Sequence, residues 1–290
     1  AFNTTNYNIT YVPATLTVGK APLTISGTKS YDGTTNIIAA NLSSTNGLIN
    51  SEVIVVSAGT AVTSSANAGT YAITSLSNLA ISVIGGNALA SNYSLPSTGS
   101  ITINPAVLTA TATMTYNGTT NITSAVQLSG YVNGENASLV VTNASAFTAN
   151  VGTNYIQSIT LSNASSGNPK NANVSNYTVN TSGNSAQNSV TINPATLTVN
   201  ANNQTKIYGN ANPVLTETVT GFVNNEDISV VSGTPTATTS ATNAASVGSA
   251  VITASASGLT ATNYNFIAGS NSSLTITARP ITITANSNQT

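Results

Sequence analysis

Histidine, cysteine and tryptophan are absent from these 290 residues, and methionine occurs once. Without histidine or cysteine there can be no Ser-His-Asp or Cys-His constellation, no ordinary zinc site and no disulfide framework. Charge is scarce as well. Five basic and six acidic residues leave a net charge of −1, where an average domain has roughly 25% charged positions. Such a surface has no electrostatic footprint for nucleic acid and no basic face for an anionic membrane. No run approaches the ~20 consecutive apolar residues of a membrane span. Ala1-Phe2-Asn3 lacks the basic and apolar regions of a signal peptide. Near-zero charge also removes long-range repulsion, so self-association is expected to be easy.

What the chain does have is repetition. Val190-Thr191-Ile192-Asn193-Pro194-Ala195-Thr196-Leu197 reads as a closing strand, a tight linker and an opening strand. The pattern recurs around Lys20 and Pro22, around Pro105 and around Pro280, at intervals of about 85 to 90 residues. Proline or charge at the linker withholds a ladder hydrogen bond and marks a boundary. Three modules are expected, at 21–104, 106–193 and 195–277, each closing its own interior. Residues 1–18 read as the closing strands of a preceding module and 280–290 as the first strand of a following one, a window cut from a longer array.

Each module has Thr alternating with apolar residues, then a turn: Tyr31-Asp32-Gly33, Tyr116-Asn117-Gly118 or Tyr208-Gly209. Glycine there admits positive φ. Each ends on Asn-Tyr, with Tyr93, Tyr177 and Tyr264 expected in the core, their hydroxyls tied to backbone as in a tyrosine corner. No helical stripe is sustained anywhere. About seven short β-rich runs per module predict an all-β fold of small antiparallel, Ig-like sandwiches strung into a rod. A β-grasp-like module with one short helix is the alternative.

No residue stands out as catalytic. Glu226 and Asp227 are adjacent and would diverge on a strand, so a turn explains them better than a carboxylate pair or a calcium site. Leu95-Pro96-Ser97-Thr98-Gly99 spells a sortase pentapeptide, but a strand and a new module follow it, so a hairpin loop suffices. Lys29 and Lys206 could form Lys–Asn crosslinks only beside a buried carboxylate, and Met114 breaks the series. The Asn-x-Ser/Thr triplets, Asn41, Asn92, Asn163 and Asn271 among them, are what the composition predicts. Alternate threonines at 109–115 form a solvent-facing row with too long a period for ice binding. No cofactor and no metal is expected.

Tyr31-Asp32-Gly33-Thr34-Thr35 and Tyr116-Asn117-Gly118-Thr119-Thr120, each with a downstream Asn-Tyr, resemble the YDG repeat. Lys206-Ile207-Tyr208-Gly209, then Gly221-Phe222-Val223 and Asn263-Tyr264, is similar to the YGX-type MBG repeat. Asn117 and Met114 depart from the pattern. The resemblance implies tandem modules of filamentous-haemagglutinin-like bacterial surface proteins, an extracellular location and no catalytic residue. A non-enzymatic stalk or fibre region of an adhesin is expected, its partners being neighbouring modules of the same chain. The alternatives are a self-assembling filament and a glycan- or protein-binding module using loops such as 166–171.

Overall fold

The computed structural model describes residues 3–46, 48–49, 52–85, 89–95, 97–132, 134–135, 139–164 and 172–285. The loop expected at 166–171, Pro96, and Gly86 and Asn87, where the Gly-Gly-Asn sequence predicts a turn, lie outside them. The fold is all-β, and among the described residues the helical segments are three-residue 3₁₀ turns. The chain falls into two compact units. One comprises Ala1–Val107, Tyr131–Asn136 and Asn168–Thr178; the other comprises Leu108–Gly130, Ala137–Gly167 and Val179–Thr290. The second repeat is therefore divided between the units.

The first repeat contains β1 (Ala21–Pro22), β2 (Thr24–Ser30), β3 (Asn36–Ile38), β4 (Leu42–Asn46), β5 (Val53–Thr63), β6 (Gly69–Gly85), β7 (Tyr93–Ser94) and β8 (Gly99–Asn104). Its main sheet runs β3-β5-β4-β2-β8-β6 and closes on itself through β5–β6. The long β6 makes closure possible: Gly69–Ala72 pair with β8, whereas Ile73–Gly85 pair with β5 across several register shifts. Such irregularities bend a strand enough to serve two neighbours.

The second repeat has β9 (Ala106–Thr115), β10 (Val126–Ser129), β11 (Leu139–Ala146), β12 (Gly152–Asn154), β13 (Ile156–Asn163), β14 (Tyr177–Val179) and β15 (Asn188–Asn193). The third has β16 (Ala195–Ala201), β17 (Gln204–Ile207), β18 (Glu217–Thr220), β19 (Thr236–Thr239), β20 (Gly248–Ser255), β21 (Tyr264–Ala268) and β22 (Ser272–Thr277). In the second, Ala110 and Ala112 of β9 and Val190 and Ile192 of β15 face Ala144, Ala146 and Ile156 from the β11–β13 hairpin. In the third, β18-β16-β21 and β17-β22-β20-β19 bury Val199, Ile252, Leu274 and Ile276 between them. The alternation expected of half-buried strands holds: Ala195, Leu197, Val199 and Ala201 of β16 are buried while Thr196 is exposed.

Three expectations need correction. The sheets are mixed and not purely antiparallel. β2 runs parallel to β8, β9 to β15, β16 to β21 and β17 to β22. A Thr/apolar alternation reads the same for either direction, so the sequence pattern is silent on this. The interiors also do not close separately at Pro194. One hydrophobic cluster contains Ala110, Val190 and Ile192 on one side of that proline and Ala195, Leu197 and Tyr264 on the other. With a single residue between β15 and β16, the first half of β16 lies against the preceding core as well as against Tyr264 of its own repeat. Finally, residues 7–20 and 278–285 form no strand. The closing strand β8 pairs with β2 and β6, whereas residues 16–18 pair with no strand among the described residues.

Parallel pairing of first and last strands has a directional consequence. A chain that comes in along β9 and leaves along β15 exits at the pole opposite to the one it came in by, so the second repeat passes the chain through from pole to pole.

Candidate functional site

The turn tyrosines are positioned by the closing strands. The backbone N–H of Tyr31 donates to the carbonyl of Asn104 (2.7 Å), that of Tyr116 to Asn193 (2.8 Å) and that of Tyr208 to Thr277 (2.9 Å). Gly33, Gly118 and Gly209 follow at φ of 74°, 75° and 81°, a region L-residues other than asparagine seldom visit. Asp32 Oδ1 accepts from the N–H of Thr34 (2.9 Å), and Asn117 Oδ1 does the same for Thr119 (3.0 Å). Both turns thus rest on an acceptor oxygen and not on a charge.

The buried ammonium of Lys29 caps the first turn, donating to Asp32 Oδ1 (2.7 Å) and to the carbonyls of Thr34 (2.7 Å) and Asn36 (3.1 Å). Lys206 does the same in the third repeat through Asn212 Oδ1 (2.9 Å) and the carbonyl of Thr242 (2.6 Å). Burial opposes ionisation of Asp32, yet hydrogen bonds from Lys29 and Thr34 outweigh it and hold the carboxyl below its ordinary range. Met114 stands at the corresponding place in the second repeat and packs against the apolar cluster instead. The crosslink reading gains nothing: the carboxylate that touches Lys29 is exposed, and among the described residues Lys206 is bonded to an amide and carbonyls.

The Asn-Tyr pairs lie at the other pole. The rings of Tyr93, Tyr177 and Tyr264 are buried. Their hydroxyls accept the N–H of Ile49 (3.2 Å), Val132 (3.0 Å) and Val223 (3.1 Å). Each hydroxyl then donates to the glutamate three residues further on: Tyr93 to Glu52, Tyr177 to Glu135 (2.6 Å) and Tyr264 to Glu226. A backbone bond from each glutamate N–H to the carbonyl of the same Ile or Val, 3.0 to 3.1 Å long, makes this a compact turn.

Two of the glutamates take a second tyrosine, and it comes from the repeat before. Within the first unit, Tyr31 donates to Oε1 of Glu135 while Tyr177 holds Oε2. Within the second, Tyr116 donates to Oε1 of Glu226 (2.6 Å) while Tyr264 holds Oε2. The paired rings meet edge to face, 5.5 Å apart at 79° for Tyr31–Tyr177 and 5.4 Å at 82° for Tyr116–Tyr264, the arrangement aromatic quadrupoles favour.

The asparagines reproduce the pattern. Asn176 Oδ1 accepts from Ala68 N–H (2.8 Å) and its amide donates to Asn67 (3.0 Å). Asn263 Oδ1 accepts from Val151 N–H (3.0 Å) and its amide donates to Asn150 (3.1 Å). Gly118 adds a close backbone approach: a Cβ there would lie 2.4 Å from that of Asn224.

Burial, with the glutamate second, pushes the phenols of Tyr31 and Tyr264 up to about 12, and the same causes raise Tyr177 and Tyr116. Phenol hydroxyls donating to one carboxyl group from both sides form a clamp suited to holding two segments together. Among the described residues no group of three His, Cys, Asp or Glu could hold a metal.

The structure thus brings Tyr31 together with Tyr177 and Tyr116 with Tyr264, while Asp32, Gly33, Asn117 and Gly209 shape the turns. Lys20 lines a groove beside Tyr93. Pro22 sits in β1, Pro105 and Pro194 separate consecutive strands, and Pro280 follows β22. Asp227 caps a 3₁₀ turn through Ser229 N–H (2.9 Å), while its neighbour Glu226 turns into the clamp. The clamping role of the glutamates is what the sequence reading misses; there Glu226 reads only with Asp227, as part of a turn. Their signal is recurrence: Gly47-Leu48-Ile49-Asn50-Ser51-Glu52, Gly130-Tyr131-Val132-Asn133-Gly134-Glu135 and Gly221-Phe222-Val223-Asn224-Asn225-Glu226 place three of six acidic residues alike.

Fold and site define a serial all-β repeat array with a conjoined polar joint. The YDG domain family matches residues 12–103, and the MBG domain (YGX type) family matches residues 197–275. The chain therefore carries a YDG domain in its first repeat and, two repeats later, an MBG domain, neither of which is a known enzyme family. The YDG match takes in residues 12–18, ahead of the expected boundary. Comparison with curated proteins gives no match. Among solved structures, the chain is similar to a Bacteroides ovatus mixed-linkage glucan utilization locus protein, SGBP-B, in complex with a mixed-linkage heptasaccharide. Identity is 13%, over 93% of this chain and 69% of that one, with a TM-score of 0.17.

Proposed function

We propose that this chain is a non-enzymatic stalk segment of a bacterial surface adhesin, whose repeats are joined in series to hold a distal part away from the cell. The observation that carries this reading is the double occurrence of one joint, Tyr31–Glu135–Tyr177 and Tyr116–Glu226–Tyr264. A carboxylate gripped by hydroxyls from two successive repeats resists bending at the boundary, because charge-assisted hydrogen bonds are short and directional. Strands that carry the chain from pole to pole deliver the pull along the repeat. The location outside the cell and the adhesin context belong to the same proposal, supported by the two domain families and by a surface nearly free of charge.

Small-angle scattering tests it. A stalk gives a maximum dimension near three modules end to end, about 120 Å from strands of ~20 Å packed two deep per module. A compact globule of the same mass contradicts it.

A further inference from the structure

The second joint sets two phenols side by side with their protons on one base. Tyr116 donates to Oε1 of Glu226 and Tyr264 to Oε2, so both hydroxyls converge on a single carboxylate. The rings stand 5.4 Å apart at 82°, a twist that a bond between two aryl rings tolerates. Both are 6% exposed. A groove of about 340 Å³ nevertheless reaches Glu226 and Tyr264, with Asn150 and Asn263 also lining it. Phe222, the other ring against Tyr264 at 6.0 Å, has no hydroxyl and forms no phenoxyl radical. Tyr31 and Tyr177 are similarly placed, but Tyr131 also abuts Tyr177 at 5.3 Å, so that joint has two ways to couple.

Composition directs oxidation to such a pair. Cysteine and tryptophan, the usual rivals of tyrosine for a one-electron oxidant, are absent, and eleven tyrosines are present. Burial, with the glutamate second, raises the Tyr116 and Tyr264 phenols, so both are protonated near neutral pH. Electron loss then has to shed the phenolic proton, and a base already bonded to that proton speeds the transfer.

We infer that Tyr116 and Tyr264 form a dityrosine crosslink under one-electron oxidation, with Glu226 as proton acceptor, welding the second repeat to the third. Each phenol gives one electron to the oxidant and one proton, by way of the Glu226 carboxylate, to solvent. The two phenoxyl radicals bond through ring carbons ortho to their hydroxyls, and the hydrogens on those carbons shift to the oxygens. Two electrons and two protons leave per crosslink, and two equivalents of one-electron oxidant take up the electrons. Holding the rings together makes the coupling effectively unimolecular. The crosslink needs the joint alone and is independent of the stalk role.

Photo-oxidation of the whole chain tests this. The oxidant is tris(bipyridine)ruthenium(III), made in light from the ruthenium(II) complex and persulfate, at a protein concentration too low for crosslinks between molecules. Trypsin cuts at Lys29, Lys170 and Lys206, so the denatured, unoxidised chain yields 30–170 and 207–290 as separate fragments. After oxidation these two should stay joined, with dityrosine fluorescence, and tandem mass spectrometry should place the bond at Tyr116 and Tyr264. Tyr116→Phe should lose the joined fragment and Tyr208→Phe should keep it. Glu226→Gln, whose amide takes up no proton, should slow its formation by at least about tenfold. Melting shows whether each variant is folded, and the bond position in wild type decides the matter even where a variant is not. Fragments that separate after full tyrosine oxidation, a bond mapped to another pair, or folded Glu226→Gln reacting as fast as wild type overturns the inference. Scattering from the unoxidised chain decides the stalk separately.

Discussion

At the residue scale, Lys29 and Asp32 explain a departure that the repeat pattern leaves puzzling. The pair is charged in the first repeat and neutral as Met114 and Asn117 in the second, and both turns keep the same acceptor bond to the threonine two residues on. Cation and carboxylate are therefore exchanged together. Asp32→Asn alone leaves a buried ammonium short of its counter-ion and should cost about 1–3 kcal/mol. The double variant Lys29→Met/Asp32→Asn copies the second repeat and should recover part of that in denaturant unfolding. A double variant less stable than the sum of both singles contradicts the account.

The joint tyrosines carry their own pH signature. Folding raises the Tyr31 phenol from 10.0 to about 12. A group raised on folding contributes its full stability below the unfolded value and loses it as pH rises through the folded one. The joints should therefore weaken between about pH 10 and 12, followed by ultraviolet difference spectra of tyrosinate. Titration of all eleven tyrosines near 10 would contradict this. Asp32 works in the opposite direction, its lowered carboxyl contributing above the ordinary carboxylate range and losing that contribution as pH falls through the folded value.

At the element scale, β16 belongs to two interiors. Ala195 and Leu197 sit in the cluster with Val190 and Ile192, whereas Val199 and Ala201 sit with Ile252 and Leu274. Leu197→Ala should cost about 2–5 kcal/mol and lower the melting of the second and third repeats together. Two separate transitions, only one of them shifted, would show that the interiors are independent.

How much of this was legible follows from range. The alternation in β9, β15 and β16 and the glycine turns are local signals, and they hold in the structure. Strand direction is not local, so the parallel first–last pairing escapes the pattern. Glu135 and Glu226 escaped for a related reason. Tyr31 and Tyr116 lie about a hundred residues upstream of them, and a lone glutamate in a polar turn reads as a solvated residue. Recurrence of the same hexapeptide frame was the available clue.

At the scale of the whole molecule, the first repeat reaches into the second and the second into the third, each with one tyrosine and one Asn-x-Gly loop edge. A protein with so few charges spends three of its six acidic residues on one position of that plan. Carboxylates elsewhere would solubilise; these are bonded by tyrosines. The central claim is that the bonds couple successive repeats energetically, and a double-mutant cycle on Tyr116→Phe and Glu226→Gln measures that coupling directly. The account predicts an interaction energy of at least about 1 kcal/mol in denaturant unfolding. Effects that add to within about 0.5 kcal/mol would show that the joint is mere proximity.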